Sequence, residues 1–341
     1  YRGYLAYLAL PPMLLLLAGK PVWLVIAYAV AGALIAGSGL AAHALFPGLS
    51  VEQWGILHSL LALALVLIGR YGLLEHLMKI FMGLMLLVVI ICAILVAPDL
   101  SDIFRGLLMP SVPEGSVMFI FSVIGGVGGS VTLLCYGYWI RERDWNKRSD
   151  MQRSRVDLAV AYILTGLFGI AIMIISAGVH PDVMTGPDMA LAVAGQLESV
   201  AGPFGKWCFL IGFWCAVFSS MLGVWQGIPY LFADFIQQYT YQPEKPSRIS
   251  TRSNAYRGYL AYLALPPMLL LLAGKPVWLV IAYAVAGAFF MPLLCVLLLL
   301  LNNRFKLMGD MKNGLVTNLV LLGSVILFGV LLYEQISRHL A

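Results

Sequence analysis

The stretch GGVGGSVTLLCYGYW, residues 125–139, holds the residues of this sequence best placed to do chemistry. Four glycines, Gly125, Gly126, Gly128 and Gly129, fall within five positions of an apolar run. Each costs about 1 kcal/mol relative to Ala inside a helix, so together they favour a break. Lipid offers a freed backbone no partner, and unwound chain is tolerated only where it lines a cavity or is buried in protein. Carbonyls released at such a break can coordinate a cation, and Ser130, Thr132 and Cys135 stand beside them as side-chain ligands. The competing reading is that the glycines only let two helices approach closely. A phosphate-cradling loop is excluded, because no strand precedes the run and no basic residue lies within it.

Other candidates are scattered. Ser219, Ser220 and Gln226 lie in one apolar segment, where they either face a pathway or bond across helices. His43 and His58 are ionisable groups within apolar segments, which by default marks function; a neutral His sharing a helix–helix hydrogen bond is the alternative. Glu75, His76 and Lys79 are expected as a solvated cluster at a turn, and Asp234 as an anchor near a helix end. Cys92, Cys135, Cys208, Cys215 and Cys295 all sit in apolar runs at spacings that fit no zinc site. They read first as small packing residues.

The elements that carry these residues follow from composition. Of 341 residues, 61% are hydrophobic and only 11% charged, and the mean hydropathy is +0.92. So few charges cannot cover a soluble globule, which excludes a soluble enzyme, a nucleic-acid binder and a disordered chain. A bilayer span needs about 20 mostly apolar residues. Such segments occur at 3–19, 21–46, 54–69, 80–97, 116–140, 157–179, 204–233, 258–274, 276–301 and 315–333. They do not alternate in polarity as barrel strands would. The expected fold is an all-α polytopic membrane protein.

Numbering the loops alternately puts sixteen Lys and Arg on one side, chiefly at 141–155, 245–257 and 304–312, and five on the other. The positive-inside rule makes the first side cytoplasmic. The segments 98–115 and 180–203 then become outer loops.

Residues 1–33 and 256–288 are identical, YRGYLAYLALPPMLLLLAGKPVWLVIAYAVAGA, and diverge abruptly at Leu34 and Phe289. Natural transporter repeats are weak and diverged, so this identity reads as a join or a very recent duplication. With ten spans, 3–19 and 258–274 would run in opposite directions. The second copy keeps a basic loop before it and an apolar segment after it. The first copy is therefore expected to be misplaced and to pack less well. Gly37-Ser38-Gly39 looks like a linker, but its apolar flanks favour a small-residue helix contact.

From about residue 38 to 335 the chain resembles the natural resistance-associated macrophage protein (Nramp) family of divalent-metal transporters, in a divergent bacterial branch. YGLLEHLMKI at 71–80 is similar to the family's Leu-Glu turn between its fourth and fifth helices. The glycine-rich stretch occupies the place of its sixth helix. FSSMLGVWQG at 218–227 resembles its eighth, and MPLL at 291–294 with RFKLMGDMKN at 304–313 resembles its tenth helix and Leu-Met-Gly loop. The resemblance implies a LeuT-like bundle of the APC superfamily with an incomplete inverted repeat, spanning part of family helix three through helix eleven over residues 34–341. It implies secondary transport of a divalent metal cation such as Mg²⁺ or Mn²⁺, in a bacterial inner (plasma) membrane. It implies no enzyme activity and no cofactor, with the metal as substrate, the lipid bilayer as surroundings and no nucleic-acid partner. Oligomeric state is left open.

The departures from the family are specific. Its sixth helix carries Ala-Thr-Val-Met-Pro-His-Asn; in register, Gly129 stands at the Ala and Thr132 at the Met, with Leu133, Leu134 and Cys135 at Pro-His-Asn. A hydroxyl in place of a thioether favours harder cations. The family's acidic Asp-Pro-Gly-Asn motif in helix one has no counterpart in this sequence. Helices one, two and part of three are expected to be missing, with residues 1–33 in their place, making the chain a truncated or rearranged form. An organic-solute transporter of the same fold would need an apolar pocket and an anion-binding half-helix. A non-transporting membrane scaffold is the third reading.

Overall fold

The computed structural model describes residues 22–69, 71–96, 99–109, 132–145, 149–177, 187–241, 249–273, 294–309 and 312–340, with single positions at 116, 120, 123, 147 and 292. The helices are α1 (Val22–Leu45), α2 (Val51–Ile68), α3 (Tyr71–Leu95), α4 (Leu100–Leu108), α5 (Thr132–Glu142), α6 (Asp150–Ala177), α7 (Pro187–Tyr241), α8 (Asn254–Ala264), α9 (Phe305–Met308) and α10 (Leu315–Leu340). A 3₁₀ segment, Pro266–Ala273, continues α8, and residues 294–302 are also helical. No strand occurs among the described residues. Four helices there are long and apolar enough to cross a bilayer: α2, α3, α6 and the Leu191–Gln237 part of α7.

Several boundaries differ from the sequence expectation. The span expected at 80–97 begins at Tyr71, because YGLLEHLMKI contains good helix formers and only one glycine. Glu75, His76 and Lys79 therefore lie on α3 and not in a turn. The outer loop expected at 180–203 is helical from Pro187 onward, since proline suits a first helical position and MALAVAGQLESVA is rich in helix formers. Gly202, at φ 65 and ψ −165, breaks α7 there; that conformation is essentially restricted to glycine, and Pro203 follows it. The span expected at 258–274 is not one α-helix. It changes to 3₁₀ after Leu265, because Pro266 and Pro267 cannot donate to the helix ladder.

Helix α7 is the hub of the bundle and packs against α3, α1, α8, α5 and α2, while α6 leans on α3. Close approaches recur where glycine faces a neighbour. A side chain at Gly212 would meet Val88 of α3, and one at Gly37 would meet Val217 of α7. Gly39 lies against the Val51 carbonyl of α2, and Gly55 against the Ile35 carbonyl of α1. Gly37-Ser38-Gly39 is thus the helix contact its flanks suggest and not a linker.

The join at Leu34 falls inside α1, which runs through it without a break. Ala27, Ala31 and Ala33 of the first copy are buried. They pack beside the second copy: the Tyr28 hydroxyl donates to the Pro266 carbonyl at 2.9 Å, Tyr28 and Tyr262 are in ring contact, and Gly32 faces Leu270. The order of these contacts makes α1 parallel to α8 and its 3₁₀ extension. Residues 1–21 and 274–288 lie outside the described residues, and so does the like-for-like comparison of the two copies.

At one end of the bundle α4 is a short surface helix capped by Asp99, whose carboxylate accepts from Ser101 N–H at 2.8 Å. That bond, with the Ser101 hydroxyl, holds the Asp99 carboxyl below its usual range. Phe46, Trp54 and Trp207 cluster at the same end, as interfacial aromatics do.

Candidate functional site

At the opposite end four helix ends converge. Arg143, just past α5, pairs with Glu75 on α3, and Glu75 also pairs with Lys79 at 2.5 Å. Glu142 on α5 accepts from Tyr230 of α7 at 3.0 Å. Tyr256, at the start of α8, donates to the Gln226 carbonyl at 2.9 Å. The ends of α3, α5, α7 and α8 thus share one basic end of the bundle.

Helix α5 is positioned against α7 by a continuous seam. Gly227 lets the helices close up: a Cβ there would sit 3.1 Å from Cys135 Sγ and 3.1 Å from Trp139. The Trp139 indole N–H donates to Gln226 Oε1 at 2.5 Å. About two helical turns farther along α7, the Tyr138 hydroxyl donates to Asp234 Oδ2 at 2.5 Å, and Asp234 is buried. Tyr138 and Tyr230 stack with centroids 5.7 Å apart and planes 12° apart, and Tyr256 meets Tyr230 edge-on. Arg141 lies over the Tyr138 ring. A buried carboxylate is tolerable only with such donors around it.

The sequence-chosen residues are distributed unevenly around this seam. Gly125, Gly126, Gly128, Gly129 and Ser130 lie outside the described residues. Thr132 is the first residue of α5, and Cys135, one turn on, is fully buried in the seam. Ser219 and Ser220 are about two turns from Gln226 along α7 and both donate to the Ala216 carbonyl of their own helix. His43 is at the far end of the bundle, its Nδ1 2.7 Å from the Leu49 carbonyl.

His58 is bonded at both nitrogens. Trp214 Nε1, which can only donate, reaches His58 Nε2 at 2.8 Å. Nδ1, which must then carry the proton, faces the Trp54 carbonyl at 2.7 Å. The ring is a neutral link between α2 and α7, inside a cage of Trp214, Phe218 and Trp54. Among the described residues no group of three or more His, Cys, Asp or Glu is placed to hold a metal ion.

Sequence reasoning singled out Gln226 and Asp234 but missed their partners Trp139 and Tyr138 and the neighbouring pair Glu142–Tyr230. The available signal was the density of polar-tipped aromatics in YGYWIRE and GIPYLFADF. Such rings need an apolar body and a bonded tip.

Comparison with known proteins bears on this arrangement. The family model described as natural resistance-associated macrophage protein-like matches residues 9–336. A curated relative, the divalent metal cation transporter MntH of Chromohalobacter salexigens, is 25% identical over 204 residues, covering 55% of this chain and 47% of that protein. The chain spans about half the length of the curated relative it matches.

Proposed function

Because the chain belongs to the natural resistance-associated macrophage protein family, we propose that it is built for secondary transport of a divalent metal cation across the membrane it spans. The observation that carries this reading is the family match over residues 9–336. The relative's printed function, divalent metal cation transport, points the same way.

In this reading the cation sits where the glycine-rich stretch meets α5. The Gly129 carbonyl and the Thr132 hydroxyl are the principal oxygens, with Ser130 and Cys135 alongside. Oxygen donors without a thioether suit a hard cation, so magnesium competes well with manganese. The basic end of the bundle faces the cytoplasm, as Lys and Arg bias dictates.

The test is Mn²⁺ binding and uptake by the chain reconstituted in liposomes, with Mg²⁺ as competitor. The expected result is weak Mn²⁺ binding displaced by a modest excess of Mg²⁺, and tighter Mn²⁺ binding in Thr132→Met. Tight Mn²⁺ binding indifferent to a large excess of Mg²⁺, or no binding of either ion, contradicts the reading.

A further inference from the structure

We infer that Cys92 on α3 and Cys208 on α7 are a modification site, a facing pair of thiols that a small disulfide oxidant joins into a cross-link at the end of the bundle away from the basic one. The inference stands on the packing of α3 against α7 and is independent of the transport reading.

Register sets the two thiols opposite each other. Helices α3 and α7 run antiparallel, and their contacts step along the two in opposite senses. A Cβ at Gly223 would lie 3.9 Å from Met78 Sδ. Phe81 meets Phe218 with centroids 5.7 Å apart. A Cβ at Gly212 would lie 3.0 Å from Val88 Cγ1. One helical turn, about four residues, beyond Val88 is Cys92, and one turn back from Gly212 is Cys208. Both belong to one packed apolar cluster, and they are near enough to interact electrostatically. Gly212 keeps the two helices close. Axes about 8–10 Å apart, with Cα atoms about 2.3 Å from each axis, bring facing Cα atoms into the range of about 4.4–6.8 Å that a disulfide spans.

The surroundings fit the two thiols for different roles. Cys92 is fully buried, whereas Cys208 is partly exposed, next to the exposed Trp207 and shortly after the Gly202 break. Packing alone accounts for Cys92, since cysteine serves as a small buried apolar residue. It does not call for a second sulfur opposite, at a partly open position. This end lies away from the Lys- and Arg-rich end and so on the outer side of the membrane, where disulfides form and persist. The Cys208 thiolate attacks one sulfur of the oxidant's disulfide, whose S–S bond breaks, and the released thiolate takes up a proton. Cys92 then gives its proton to the second departing thiolate as its sulfur displaces it. Two cysteine thiols thereby lose two electrons and two protons, and the oxidant's disulfide is reduced to two thiols.

The experiment uses the full chain in liposomes with oxidised glutathione on both sides, read by counting free thiols and by mass spectrometry of the digested protein. Of the five free cysteines, two should be lost, in a peptide pair joined through Cys92 and Cys208, and dithiothreitol should restore them. Cys92→Ser removes the thiol that resolves the intermediate, so glutathione should stay attached to Cys208. Cys208→Ser should leave Cys92 unmodified and slow thiol loss about tenfold or more. The oxidised wild-type chain should melt higher than the reduced one, and neither Ser variant should show that rise. An unchanged thiol count, a lasting glutathione adduct on Cys208 with Cys92 present, or equal loss of Cys135, Cys215 or Cys295 overturns the inference.

Discussion

The two contacts that α5 and α8 make with their neighbours are opposites in kind. The α5–α7 seam is held by side chains whose tips bond one another near an end of the bundle. The α1–α2–α8 contact is held by backbone. There, Pro266 and Pro267 interrupt a helix, and the carbonyls left over are taken up by neighbours: Ser59 donates to Ala264 at 2.8 Å and Tyr28 to Pro266 at 2.9 Å. Gly39 and Gly55 press α1 and α2 onto each other's carbonyls. Separating this second contact would strand backbone acceptors where lipid supplies no donor. Separating the first strands nothing that water cannot reach. The difference sets a contact bonded through backbone, among α1, α2 and α8, against one bonded through side-chain tips, between α5 and α7.

The comparison can be broken most forcefully in the frame. Gly39→Leu places a branched side chain onto the Val51 carbonyl, and overpacking of this kind costs about 3 kcal/mol. Thermal unfolding in detergent should show the largest fall of any substitution considered, and a wild-type melting temperature would refute the close contact. Ser59→Ala comes next. It leaves the buried Ala264 carbonyl without its hydroxyl, a loss of about 1–2 kcal/mol, and Ser59→Thr should restore most of it. Trp214→Phe keeps an aromatic ring against Phe81 and Phe218 while removing the indole bond to His58 and some ring volume. Interhelical bonds of this type average about 0.6 kcal/mol in membranes, so the melting temperature should drop slightly. Lys206→Ala, which removes an exposed pair with Glu198 beside the Gly202 break, should change stability by less than about 0.5 kcal/mol. A larger loss there would mean that the break itself is held by charge.

The sequence carried the frame unevenly. Apolar runs placed α1 at 21–46 and α2 at 54–69, close to their observed bounds, because length and hydropathy are local properties. The α8 break was written in Pro266-Pro267 but was outweighed by the apolar run around it. Glu75, His76 and Lys79 read as a cluster at a turn, although one glycine is too little to stop a helix of good formers. The seam was the least legible part. Tyr138 meets Asp234 across 96 positions and Tyr230 meets Glu142 across 88, and no local pattern announces such a pairing. His58 could be read as functional or as a helix–helix link, and only its two bonded nitrogens decide for the link.

The most direct test of the contrast between the side-chain seam and the backbone-bonded frame is a pair of spin-label distances on the chain in liposomes. One pair joins Lys147, just past α5, to Tyr239 on α7; the other joins Ile68 on α2 to Arg257 on α8, all four exposed at the basic end. In Tyr138→Phe, which removes the bond to Asp234, the first distance distribution should broaden or gain a longer component and the second should stay unchanged, and Ser59→Ala should do the reverse. A first distance that stays fixed in Tyr138→Phe, or two distances that lengthen together there, would contradict the contrast.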